Sequence, residues 1–153
     1  MTLEIVTSRA IAAQLLRHRS FTFQEFSQRY ATATEIEEVE LRTQDERNRQ
    51  GSGSVIDPLS VYYSDVKYAI RSAKNVYDSL IEKGVSKETA RMVLPLCTKT
   101  TLYMTGSARS WIHYFEQRCS EGTQKEHREL ALRAKSIFDV KFPSVAKALS
   151  ETP

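Results

Sequence analysis

The chain is short of several things, and each shortage excludes a class. Two cysteines, Cys97 and Cys119, in 153 residues are too few for a disulfide framework and sit at no metal-ligand spacing, so both are expected to be reduced and packed. No apolar run approaches the length needed to cross a bilayer. The opening MTLEIVTSRA lacks the charged, apolar and small-residue order of a signal peptide. The expected location is therefore cytoplasmic, without a membrane partner. There is no internal repeat and no low-complexity tract. A net charge of +3 is too mild to call for nucleic acid, whose binders gather a stronger basic excess on one face.

What is present suffices for a core. With 41% hydrophobic residues, 153 residues are expected to form one domain spanning 1–153. Charge is unevenly placed: Arg17, His18, Arg19 and Arg29 fall within thirteen residues, and an acidic patch follows from Glu35 to Glu40. That distribution suits a local anion site better than a general polyanion surface.

Thr2 to Val6 has strand character, and Thr7 or Ser8 can cap a helix through Ala10, Ala12, Ala13, Leu15 and Leu16 that ends near Arg19. Phe21 and Phe23 alternate with polar residues in an extended segment to about Tyr30, so the basic cluster lies at a helix-to-strand corner. Residues 31–57, polar and centred on RNRQGSGS, read as a long surface loop. Apolar residues from Val61 to Ile81 recur at helical spacing up to Gly84. Ser86 can cap a shorter helix that Pro95 ends, and Thr98 to Thr105 is strand-like. Helices are expected from about Ser107, from Thr123 to Val140, and from Pro143. The fold class is α+β, with helices packed on a small, mainly antiparallel sheet.

The segment RHRSFTFQEFSQRY places Ser27 eight positions after Arg19 and resembles the signature of the flavin-dependent thymidylate synthases, the ThyX family; Gln14, Glu25, Arg29 and Tyr30 agree with its fuller pattern. ETARMVLPL and TGSARSWIHYFEQRCSEGTQKEH fit the same family in order and spacing. Three separated blocks carry the resemblance, which covers nearly the whole chain. It implies that residues matching Gln14, Arg17, Glu25, Ser27, Gln28, Arg29, Arg91 and Arg118 line a dUMP site. Those matching Arg17, His18, Arg19, Ser107, Arg109, His113, Gln117 and Gln124 would contact FAD. Independently, Arg109, His113 and Gln117 stand at i, i+4 and i+8 and share one helix face. Planar arginine forks suit the several phosphates of such ligands.

By the same resemblance the reaction methylates dUMP to dTMP, with methylenetetrahydrofolate as carbon donor, NADPH reducing the FAD, and a homotetramer sharing its active sites between subunits. Arg118 is the candidate catalytic residue, an always-charged donor for a developing oxyanion on uracil. Two positions depart from the pattern: Ser107 stands where many relatives have asparagine, and Gln24 replaces the asparagine before Glu25. The family also carries an N-terminal helical segment and a histidine motif ahead of the strand with which this chain opens. The expectation is that this N-terminal portion, which contributes to flavin binding, is lacking.

Blander roles stay open beside these. The basic corner alone could be solvated surface, and His113 or His127 a satisfied interior histidine. Phe21, Phe23, Phe26 and Tyr30 could stack on single-stranded nucleic acid but read better as packing residues. Cys97 lacks the following histidine associated with the non-flavin class, and Ser27 has no base beside it, so neither reads as a nucleophile. A non-catalytic or split-gene fragment needing an N-terminal partner, and a nucleic-acid-binding module, remain the alternative functions.

Overall fold

The β-branched opening forms strand β1, Thr2–Ser8, in a computed structural model that describes residues 1–29 and 35–151. Strand β2 is Thr22–Glu25 and strand β5 is Lys99–Thr105. Both β1 and β2 run antiparallel to β5, which is central in the order β1-β5-β2. Register sets the faces. Leu3, Ile5 and Thr7 stand opposite Met104, Leu102 and Thr100, and Phe23 opposite Met104, so one face gathers the apolar side chains. On the other face Val6 and Tyr103 are exposed. The small antiparallel sheet under helices agrees with the expected fold class.

Helices α1 (Arg9–Leu15), α4 (Ala108–Arg118) and α5 (Lys125–Lys141) cover the apolar face. Their buried residues recur at helical spacing: Ile11, Ala12 and Leu15; Trp111, Tyr114 and Phe115; Ala131, Ala134 and Phe138. The Phe21 ring meets Trp111 edge-on at 4.9 Å, and Trp111 meets Tyr114 at 5.6 Å. Such pairs add about 0.5–1.5 kcal/mol each beyond their buried area. Ser107 caps α4, its Oγ accepting from Ser110 N at 3.1 Å, a contact worth about 1 kcal/mol.

Helix α2, Val61–Glu82, ends as its glycine requires. Gly84 takes φ +80°, its N–H donates to Ile81 O and that of Val85 to Leu80 O, closing a Schellman motif. Helix α3 (Lys87–Ala90) and a 3-10 turn (Arg91–Val93) follow; Leu94 turns extended before Pro95. Helix α6, Pro143–Glu151, opens at its proline. Among the described residues no helix is long and apolar enough to cross a membrane.

Three expectations need correction. Helix α1 stops at Leu15, not near Arg19, because Leu16 to Arg19 close as a turn with Arg17 N on Gln14 O and His18 N on Leu15 O. Strand β2 ends at Glu25 and Ser27–Arg29 turn away; Tyr30 lies outside the described residues. The expected loop contains a hairpin, β3 (Arg42–Gln44) paired with β4 (Ser52–Val55). Its strands are too short and polar to alternate, and distant residues hold it: Arg42 reaches Glu126 at 2.6 Å, Lys125 reaches Glu40 at 2.7 Å, and Leu41 N donates to Tyr63 Oη at 2.9 Å.

Candidate functional site

The turn after α1 sets the geometry of the basic corner. Arg17 and Arg19 point outward, whereas His18 tucks half-buried against the Tyr114 ring at 5.1 Å. There Arg118, at the end of α4, donates from Nε to His18 Nε2 at 3.0 Å. This joins two sequence blocks separated by 100 residues. Burial, then the positive charge of Arg118 and the neighbouring His113, hold the His18 pKa below its ordinary value. His18 is therefore neutral near pH 7 and free to accept from Arg118. The Arg118 terminal nitrogens have no carboxylate partner among the described residues.

Beneath this corner lies His127 of α5, wholly buried. Its Nδ1 is 3.1 Å from Gln14 Oε1 and its Nε2 is 3.1 Å from Tyr114 Oη. Gln14 Nε2 donates onward to Gln124 Oε1 at 2.7 Å, and Gln124 Nε2 to Glu126 Oε2 at 3.0 Å. Burial, followed by Arg118 and His18, pushes the His127 pKa down to about 4. Burial likewise raises that of Tyr114, which keeps its proton. Gln14, His18, Arg118 and Gln124 thus form one polar cluster from three elements.

Arg109, His113 and Gln117 lie along one exposed face of α4, as their spacing requires; His113 Nε2 and Gln117 Nε2 are 2.9 Å apart. His113 is surface-exposed, which removes its reading as an interior histidine; His127 is the interior one. Among the described residues no carboxylate pairs with Arg17, Arg19 or Arg109. Such outward guanidiniums flanking a neutral imidazole fit a polyanionic ligand. Gln124 also edges a polar cavity of about 520 Å³ between the hairpin and the start of α5, with Arg42, Lys125 and Arg128.

The remaining expected residues form a second group. Glu25 accepts from Arg9 Nη1 at 3.2 Å and from Thr100 Oγ1 at 2.9 Å. In the turn after β2, Ser27 Oγ accepts from Arg29 N at 3.3 Å. Gln28 is 6% exposed, and its Nε2 finds no acceptor among the described residues. A buried donor left without a protein partner marks a place where a ligand atom can supply one. Arg29 pairs with Glu88 at 3.0 Å, and Arg91 Nε donates to Glu88 O at 3.3 Å, so two distant arginines share one anchor. No hydrogen bond or ion pair among the described residues joins this group to the His18–Arg118 cluster.

Four residues escaped sequence reasoning as parts of the site: Arg9, Tyr114 and Glu88 as partners, and His127 as the link to Gln14. Only two gave a local signal, Glu88 three positions before Arg91 and His127 three after Gln124. Cys97 is a free, half-buried thiol whose pKa is raised by burial, which keeps it protonated and unreactive. Among the described residues no cluster of three or more His, Cys, Asp or Glu could hold a metal.

Known proteins share this sequence and this fold. The family described as Thymidylate synthase complementing protein matches residues 1–144. The flavin-dependent thymidylate synthase of Synechocystis sp. is 54% identical over 151 residues, covering 97% of this chain and 70% of its own. A probable flavin-dependent thymidylate synthase of Paramecium bursaria Chlorella virus 1 is 51% identical over 152 residues, with the same 97% and 70%. Among solved structures, a UMP/dUMP methylase from Streptomyces cacaoi bound with 5-Br UMP aligns with TM-score 0.77 and 25% identity, covering 91% of this chain and 68% of its own. Given a match over residues 1–144 and identity above half to the Synechocystis protein, this chain belongs to the thymidylate synthase complementing protein family, the flavin-dependent thymidylate synthases.

Proposed function

We propose that the chain, as one domain over residues 1–153, methylates dUMP to dTMP with a flavin as redox cofactor. The observation that carries this reading is the Arg118–His18 hydrogen bond of 3.0 Å, which joins the basic corner to the end of α4. In this reading Arg17, Ser27, Gln28 and Arg29 hold the nucleotide phosphate, the buried Gln28 amide donating to it. Gln14, Glu25 and Arg91 complete the dUMP pocket. His18, Arg19, Ser107, Arg109, His113, Gln117 and Gln124 bind FAD, with Arg17 near both ligands. The Ser107 hydroxyl caps α4 and also bonds Ser110 Oγ at 2.9 Å, which leaves it one further hydrogen bond for a ligand.

When bound and reduced by NADPH, the flavin supplies a hydride, and methylenetetrahydrofolate supplies the carbon. The protein's own contribution is placement and charge. Arg118 directs its terminal nitrogens at the uracil, where a fixed cation stabilises negative charge as C5 becomes nucleophilic. Its Nε is committed to His18, so the guanidinium plane is set before substrate arrives. Neutral His18 is what permits this; a charged imidazolium would repel Arg118.

Among the described residues no hydrogen bond or ion pair joins the two groups of site residues within one chain, which supports shared sites in a homotetramer. So does α2, where Val61, Tyr62, Tyr68 and Val76 are exposed and Tyr77 is buried. The decisive assay supplies dUMP, FAD, NADPH and methylenetetrahydrofolate to the purified protein and follows dTMP, alongside a visible flavin spectrum and light scattering. Turnover by a tetramer is expected. A colourless monomer that ignores dUMP and binds oligonucleotides in a salt-dependent way would overturn the reading.

A further inference from the structure

The His127 side chain does more than fill the core. We infer that His127 is a positioning residue which, with Tyr114, fixes the direction of the Gln14 side-chain amide and through it that of Gln124. The inference rests on the reading of Gln14 as a dUMP contact and Gln124 as a flavin contact.

Hydrogen directions follow from the partners. Gln14 Oε1 can only accept from His127 Nδ1, so in the neutral imidazole Nε2 accepts, and the Tyr114 hydroxyl donates to it across 3.1 Å. A neutral imidazole accepting at Nε2 carries its proton on Nδ1, and that N–H donates to Gln14 Oε1 at 3.1 Å. Gln14 must then turn its NH2 outward, where it donates to Gln124 Oε1 at 2.7 Å. Gln124 in turn presents its own NH2 to Glu126. The Tyr114 hydroxyl at one end and the acceptor-only Glu126 carboxylate at the other therefore hold His127, Gln14 and Gln124 in a single sense. Without His127, the Gln14 amide loses the donor that holds its oxygen inward and keeps only the Gln124 contact to direct its NH2.

The same pair forms the floor under His18. The His18 ring stands edge-on to Tyr114 at 5.1 Å and to His127 at 6.2 Å. Tyr114, Arg118 and His18 are the titratable and charged groups facing His127, and Arg118 and His18 oppose a proton on it. The chain of donors thus stays in one state throughout the neutral range. His127 itself is wholly buried, so it acts on a ligand only through Gln14.

The test compares His127→Leu, the paired Tyr114→Phe/His127→Leu, and His127→Gln, whose amide can accept from Tyr114 and donate to Gln14. Titration gives the dissociation constants of dUMP and FAD, steady-state kinetics give KM and kcat, and urea unfolding gives stability. His127→Leu should leave the Tyr114 hydroxyl buried and unpaired, lowering stability and raising the dUMP dissociation constant about tenfold. The double variant should regain stability, because both partners of the buried hydrogen bond are then apolar, while dUMP affinity stays weak. KM should rise with kcat nearly unchanged, since Gln14 meets the nucleotide in ground and transition states alike. His127→Gln should recover affinity. Affinity that returns with stability in the double variant, or never changes in His127→Leu, overturns the inference while the proposed function stands. A wild-type chain that binds neither dUMP nor FAD overturns the reading on which it rests.

Discussion

Acidification perturbs this protein first through a histidine. His127 titrates at 6.5 when unfolded and at about 4 when buried against Tyr114 with Arg118 and His18 nearby. Between those values the unfolded chain binds more protons than the folded one, so stability falls as pH drops through the window and is fully present above it. Moving from about pH 7.5 to about pH 5 should remove about 2 kcal/mol through this residue. His18, also lowered by burial, adds in the same direction. The carboxylates of Glu40, Glu126 and Asp45 are held below their ordinary values and contribute their loss at lower pH. Urea unfolding at both pH values, in wild type and in Tyr114→Phe/His127→Leu, isolates the His127 share. The wild type should lose more than the variant by about 2 kcal/mol. A difference below about 0.5 kcal/mol, the usual scatter of such comparisons, would refute the claim that His127 is buried neutral.

Other perturbations read different parts of the fold. Gly106→Ala would place a Cβ 2.5 Å from Phe21 Cε1, inside a ring packed on Trp111; the unfolding midpoint should drop by about 1–3 kcal/mol in stability, and no change would mean the β5–α4 turn yields freely. Arg42→Met strips Glu126 of a cation at 2.6 Å, and should cost about 1–3 kcal/mol while speeding hydrogen exchange in the β3–β4 hairpin. Arg91→Ala should weaken dUMP by about 2–5 kcal/mol where the arginine–nucleotide pair is desolvated, near the lower end because Arg91 is half-exposed; an unchanged dissociation constant in titration removes it from the pocket. Cys97→Ala should leave dTMP formation intact, because its thiol is held protonated; lost turnover in a folded variant would make it a participant.

Local pattern was legible wherever a residue's role depends on neighbours within a turn or two. The α2 stop at Gly84 follows from a glycine that alone tolerates φ +80° cheaply, and the α4 start from a serine whose hydroxyl accepts from Ser110 N. The Arg109, His113 and Gln117 face follows from helical spacing, and the sheet from the β-branched character of Thr2 to Val6, the Phe21–Phe23 alternation and the strand-like composition of Thr98 to Thr105. The family blocks likewise lie in the sequence itself. The rest depends on partners far away along the chain. The hairpin within residues 31–57 has no periodicity of its own and stands because Arg42 meets Glu126, 84 residues later. The Arg118–His18 bond spans 100 residues and the His127–Gln14 bond 113. A buried histidine and a surface histidine look alike in composition; only packing made His127 the neutral link of a directed hydrogen-bond chain and His113 a solvated side chain, because desolvation is a property of what the whole fold brings around a group.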